Sequence, residues 1–128
     1  MSFEANRSIT MLPVVANVIN QNRFVEVVTG GLVDESTAAG DAVGVSLEAS
    51  LAAASVAIPV SLLDGSKVEV TSGAAVAAGV RVMADATGRA ITATGATARV
   101  LGFSLSASAN ADEVITIVGI KAAGEFVA

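Results

Sequence analysis

One short phrase occurs twice. Gly44-Val45-Ser46-Leu47-Glu48-Ala49-Ser50 returns as Gly102-Phe103-Ser104-Leu105-Ser106-Ala107-Ser108, with five of seven residues identical. Held at that spacing, Val56 falls on Val114 and Val60 on Val118. Each copy reads as a strand, a loop of small residues and a second strand. A unit repeated at fixed spacing constrains the chain to build one β arrangement twice. Chance is the competing reading, because Ala, Ser, Val and Gly are abundant, but gapless register is harder to reach by accident.

Composition narrows the chemistry. At 128 residues the chain is one domain by length, and it has no Cys to staple it. It also has no His, Trp or Tyr. Ser-His and Cys-His nucleophile systems are therefore excluded, as are His-containing zinc sites. A Ser or Thr nucleophile would need a Lys or terminal-amine base. The only lysines, Lys67 and Lys121, stand in strand-like contexts, so no enzyme is expected and no cofactor. The chain is 53% hydrophobic but only 3% aromatic, so its apolar mass is mostly Ala and Val. Such residues suit sheets packed closely together. With only 15% of residues charged, part of the apolar surface is expected to be hidden by a partner, and a stable oligomer follows.

A net charge of −5 with seven scattered basic residues opposes nucleic-acid binding, which needs clustered Lys and Arg. Membrane association is not expected either. No run approaches the ~20 apolar residues that span a bilayer. Glu4 and the Pro13 and Asn17 breaks spoil a signal peptide. The chain is expected to be made in the cytoplasm.

Residues 1–22 differ from the rest, and two segments are expected: an extended N-terminal arm over 1–22 and a β body over 23–128. Ile9 to Val15 is apolar without clean helical or strand periodicity, and Pro13 restricts Leu12 to extended backbone. This stretch is either an edge strand on its own domain or an arm that docks on a neighbour. The arm reading is preferred, because apolar residues left in water gain nothing. Its contact candidates are Phe3, Arg7, Ile9, Met11, Leu12, Pro13, Val14 and Val15.

From Arg23 onward the pattern is β. Phe24–Thr29 runs into Gly30-Gly31, and Leu32–Asp34 resumes as a hairpin. Asp64-Gly65 suits a tight two-residue hairpin turn. Lys67–Thr71 alternates, which turns Val68 and Val70 to the core. Val80–Met83 and Arg89–Thr92 flank a further hairpin at Asp85–Gly88. Pro59 marks the first copy's trailing strand as an edge or bulge, since proline cannot donate to a ladder. At that spacing Ile117 is its counterpart and reads as interior. A last short strand is expected at Glu125–Val127. Nine or ten short strands at about ten-residue spacing, with no sustained helical stripe, predict an all-β barrel or sandwich.

The polar motifs carry little chemistry. Asp34, Glu35 and Asp41 lack Ca²⁺-loop spacing. Asp112 and Glu113 point to opposite faces of a strand. The Gly73–Gly79 loop lacks the Lys-Ser/Thr of a phosphate loop. Arg81, Arg89 and Arg99 cluster in the second half, whereas acids dominate Glu26 to Asp41. That asymmetry makes the three arginines candidate subunit-contact charges, since rim charges set register between subunits.

The stretch Gly73-Ala74-Ala75-Val76-Ala77-Ala78-Gly79, then Asp85-Ala86-Thr87-Gly88-Arg89-Ala90, then Val100-Leu101-Gly102 with its Ala/Ser loop, resembles the phage capsid decoration (cement) proteins. The half from Thr37 to Leu62, with Ala38-Ala39-Gly40-Asp41-Ala42-Val43-Gly44, is similar to the same pattern. The resemblance implies a β-barrel or β-tulip body, a homotrimer, and a place on the outer surface of an icosahedral head. There such proteins clamp neighbouring major capsid proteins, often through an extended N-terminal segment. It implies a structural virion protein whose partners are the major capsid protein and itself. The alternative class is a trimeric receptor- or surface-binding module of a virion. Loops of Ala, Ser, Gly and Thr disfavour that class, which needs polar or aromatic specificity residues.

Overall fold

The computed structural model describes residues 8–13, 18–38, 40–50, 57–94 and 99–120. Among the described residues, ten strands form two antiparallel five-stranded sheets and no α-helix occurs. The first sheet holds β1 (Ser8–Met11), β2 (Phe24–Val28), β3 (Leu32–Glu35), β4 (Gly44–Ser46) and β5 (Ile58–Leu62). The second holds β6 (Asp64–Thr71), β7 (Arg81–Ala84), β8 (Ala90–Thr92), β9 (Gly102–Ser104) and β10 (Val114–Ile120). Their orders are β1-β5-β4-β2-β3 and β6-β10-β9-β7-β8. Renumbered from its own first strand, the second sheet repeats the first. The internal duplication is therefore a property of the whole fold and not of one phrase.

The equivalence holds residue by residue, with one correction to the spacing. β4 and β9 are related by 58 positions, since Gly44 pairs with Leu62 as Gly102 does with Gly119. β5 and β10 are related by 57: Ser46 faces Val60 as Ser104 faces Ile117, and Met11 faces Ile58 as Val70 faces Ile115. The first copy's loop is longer by one residue. Val60 therefore matches Ile117, and Pro59 matches Thr116.

Each half builds its core from the same positions. Met11, Ile19, Val25, Val33, Ile58 and Val60 pack together in the first half. Their counterparts Val70, Val76, Val82, Ala90, Ile115 and Ile117 belong to the larger cluster of the second. That cluster also takes in Phe24 and Val45 from the opposite face of the first sheet, with Ala42 and Leu63 from the segments that flank its strands. The two sheets thus stack as a sandwich rather than closing into a barrel. Burying Phe24 completely contributes about 2–3 kcal/mol to holding them together. The burial patterns agree. All three residues of β4 are buried, as expected for a strand covered on both faces. β10 alternates strictly, with one face buried and one open.

Two further expectations are corrected. Asp64-Gly65 is not a hairpin, because β5 and β6 lie in different sheets. The chain crosses between sheets at buried Leu63. Val118 then pairs with Lys67 and Ile120 with Asp64, so β6 carries one extra residue at Gly65-Ser66. Gly65, at φ 96°, supplies the conformation that this bulge needs. Pro59 does not mark an edge, because β5 lies between β1 and β4. Its carbonyl accepts from Leu47 N–H at 3.0 Å, one residue beyond the end of β4. The missing donor therefore faces the point where the neighbouring strand has already stopped.

The described part of the expected arm lies in the body. β1 pairs with β5 over four residues, Met11 packs on the first core, and Pro13 and Ile19 are buried. Phe3, Arg7, Val14, Val15 and the Glu125–Val127 strand lie outside the described residues.

Candidate interaction surface

The duplicated phrase is a structural staple. Ser46 Oγ donates to the Asn20 carbonyl at 2.6 Å and accepts Arg23 N–H at 3.1 Å. Ser104 Oγ repeats this with the Ala77 carbonyl at 2.5 Å and Val80 N–H at 3.2 Å. Ser50 Oγ accepts Ile19 N–H, and Ser108 Oγ accepts Val76 N–H. Each pair of serines pins the loop that carries one core residue, Ile19 or Val76, over its sheet. Gly44 and Gly102 are fixed by space, since a Cβ would strike the carbonyl oxygens of Ser61 and Val118 respectively.

The three candidate arginines do not converge. Arg89 is committed within the chain: its Nε donates to Asp85 Oδ2 at 2.9 Å and its NH1 to Asp112 Oδ1 at 3.0 Å. The bond to Asp112, with the two carboxylates' charge, holds the Arg89 pKa above its ordinary value. Burial works to raise the Asp85 pKa. The N–H groups of Thr87 and Arg89, the Arg89 charge and the Thr87 hydroxyl outweigh it and hold that carboxyl below its ordinary value. These bonds fasten the β7–β8 hairpin. Arg99 Nε lies 3.9 Å from Asp41, a link between the two halves. Arg81 is exposed on β7 and makes no ion pair among the described residues.

Arg81 stands in a row that crosses the open face of the second sheet. Arg81 pairs with Phe103, Phe103 with Val118, and Val118 with Lys67. Two apolar residues are thus flanked by two cations. Val114, Ile120 and the cross-strand pair Met83–Ile91 widen the apolar area. The equivalent row of the first sheet is Phe24–Val45–Ser61–Ser8, of which the first three are buried. The face that the first sheet hides against the second is, on the second sheet, open.

The sequence reading missed this face, although β10 carried a signal. Val114-Ile115-Thr116-Ile117-Val118-Gly119-Ile120 is apolar on both parities, the mark of a strand covered on both sides. Small-molecule chemistry has less to work with. An open depression of about 240 Å³ is lined by Gln21, Asn22, Leu47, Lys67, Val68, Glu69 and Thr116. No group of three His, Cys, Asp or Glu side chains among the described residues is placed to hold a metal ion. Glu35 is engaged by Asn20 and lies 3.9 Å from Arg23.

No family model and no curated protein matches the chain. The fold is similar to a solved structure, the head fiber gp8.5 N base of bacteriophage phi29, with a TM-score of 0.73. The match covers 93% of this chain and 99% of the other at 11% sequence identity. The likeness is one of fold, over nearly the full length of both chains.

Proposed function

We propose that this chain is a structural protein of a phage virion, a non-enzymatic decoration subunit seated on the outer surface of the head. In this reading it self-associates as a homotrimer and bridges neighbouring major capsid proteins. The observation that carries the reading is the near-complete fold match to the base of a phage head fiber. The sequence resemblance to decoration proteins supports it independently. So does the division of the described surface into structural staples and open apolar area. Many weak contacts repeated by lattice symmetry become strong through avidity. The capsid-facing candidates are the residues before β1, with Phe3 and Arg7, together with exposed Leu12.

The test is binding to heads that lack the protein. Purified chain added to such heads binds to saturation at a fixed ratio to the major capsid protein and raises the temperature at which they rupture. Removal of residues 1–7 weakens head binding while leaving the fold intact. Absence of the chain from gradient-purified virions, together with no binding to purified heads, sinks the proposal.

A further inference from the structure

The internal interface between the two sheets leaves both of its halves exposed again at opposite ends of the molecule. In the first sheet, Phe24, Val45 and Leu63 lie in the shared core against the second. Their counterparts in the second sheet are Arg81, Phe103 and Ile120. Phe103 and Ile120 are each 39% exposed. The receiving side repeats in the same way. Val68 and Ala84 are buried in the second half, while their counterparts in the first, Ile9 and Val27, are 44% and 48% exposed. One chain therefore presents an unfilled copy of each side of an interface that it already forms once.

We infer that a second copy of this chain docks head to tail, with the Phe103–Val118–Ile120 face of one copy on the Ile9–Val27 face of the next. The contact continues the internal one. Leu63 lies against Gly119, which in turn adjoins Val68, so Ile120 is placed to meet Leu62 and Ile9 of the next copy. The Phe24 N–H donates to the Gly88 carbonyl at 2.7 Å, and the counterpart of that contact sets Arg81 beside Gly31 at the tip of the β2–β3 hairpin. Such a contact is heterologous, using two different faces of each copy. Lys67, the counterpart of exposed Ser8, stays at the rim, where it steers register more than affinity.

The inference rests on the self-association in the proposed function but not on capsid attachment, so its test contains no heads. Sedimentation of the full chain is compared with Phe103→Asp, Val27→Asp and an equimolar mixture of the two. The wild type is expected to be an oligomer. Each variant falls to monomer, with roughly 30-fold or greater loss of affinity, and the mixture recovers a dimer and nothing larger. Phe103→Leu retains the wild-type assembly. Both aspartates replace exposed side chains, and unchanged circular dichroism confirms that each variant folds. A monomeric wild type overturns the inference. Loss of assembly in Phe103→Asp but not in Val27→Asp also overturns it and assigns a face-to-face contact instead. An oligomer that resists both substitutions overturns the inference while leaving self-association standing.

Discussion

Asn22 and Gly79 occupy one position of a repeated unit, and both are held at positive φ, 61° and 82°. Each donates its backbone N–H at 2.8 Å, Asn22 to the Ser46 carbonyl and Gly79 to the Ser104 carbonyl. The left-handed backbone turns the covering loop back onto the strand that carries the duplicated phrase. Asparagine tolerates that conformation better than other residues with a Cβ, and glycine takes it freely. Asn22→Gly is therefore expected to change stability by less than about 0.5 kcal/mol. Asn22→Val is expected to cost about 1–2 kcal/mol, and urea denaturation distinguishes the two.

The serines of the phrase give a paired prediction. Ser46→Ala strips the acceptor from Arg23 N–H and the donor from the Asn20 carbonyl, and Ser104→Ala does the same at Val80 and Ala77. Leaving such groups unmatched costs about 1–3 kcal/mol at each site. The two sites share no partner, so the double variant is expected to lose the sum. Thermal denaturation of the two single variants and the double variant checks it. A double variant no less stable than either single one contradicts the independence of the two sites, and a loss at only one serine contradicts the equivalence of the halves.

The duplicated phrase was legible because its glycine and serines answer local demands. A close approach, a loop carbonyl and a loop N–H each fix a residue type wherever they occur. Strand positions were legible for a related reason, since Val68 and Val70 alternate with polar residues on β6. The destination of each strand was not. Asp64-Gly65 has the chemistry of a hairpin turn, yet here it forms the bulge after a crossover, and only buried Leu63 marks the change of sheet. Pro59 obeyed the rule that proline avoids ladder donors, but the rule was met by the early end of β4 rather than by an edge. The register slip between the copies was invisible because Val60 and Val118 match as well by type as Val60 and Ile117 do. The open face was read as strand and not as surface, because alternation alone does not say which side is covered.

The Asp85 network makes stability depend on acid pH. The folded Asp85 carboxyl titrates below its ordinary value, despite burial that works the other way. A depressed carboxyl contributes stability that is fully present above the unfolded value, near pH 4, and lost as pH falls through the folded one. Wild type is therefore expected to weaken progressively below about pH 4. Asp85→Asn keeps part of the hydrogen bonding but removes the titrating charge. It lowers stability at neutral pH and flattens the acid limb. Denaturation midpoints measured between pH 2 and 7 test this, and an acid limb identical in both proteins contradicts it.

Pro59 and Thr116 provide the last prediction, because the fold already contains the experiment once. In an antiparallel strand the N–H and C=O of one residue point to the same side. The Thr116 carbonyl accepts from Leu105 N–H at 2.8 Å, as the Pro59 carbonyl does from Leu47. Both residues thus turn away from their outer partners, Glu69 and Thr10. The Thr116 N–H goes to Ser106 Oγ at 3.0 Å. At the matching position the first copy has Glu48, which offers no hydroxyl, and needs none because Pro59 has no N–H. Thr116→Pro therefore removes one side-chain bond and no ladder bond. It is expected to cost about 1 kcal/mol, well below the ~3 kcal/mol or more of a proline that breaks backbone bonding. Ile117→Pro is the contrast, since its N–H points to β6 and its side chain is fully buried. That variant is expected not to fold. Equal losses at the two positions, read by urea denaturation and soluble yield, contradict the matching of Pro59 with Thr116.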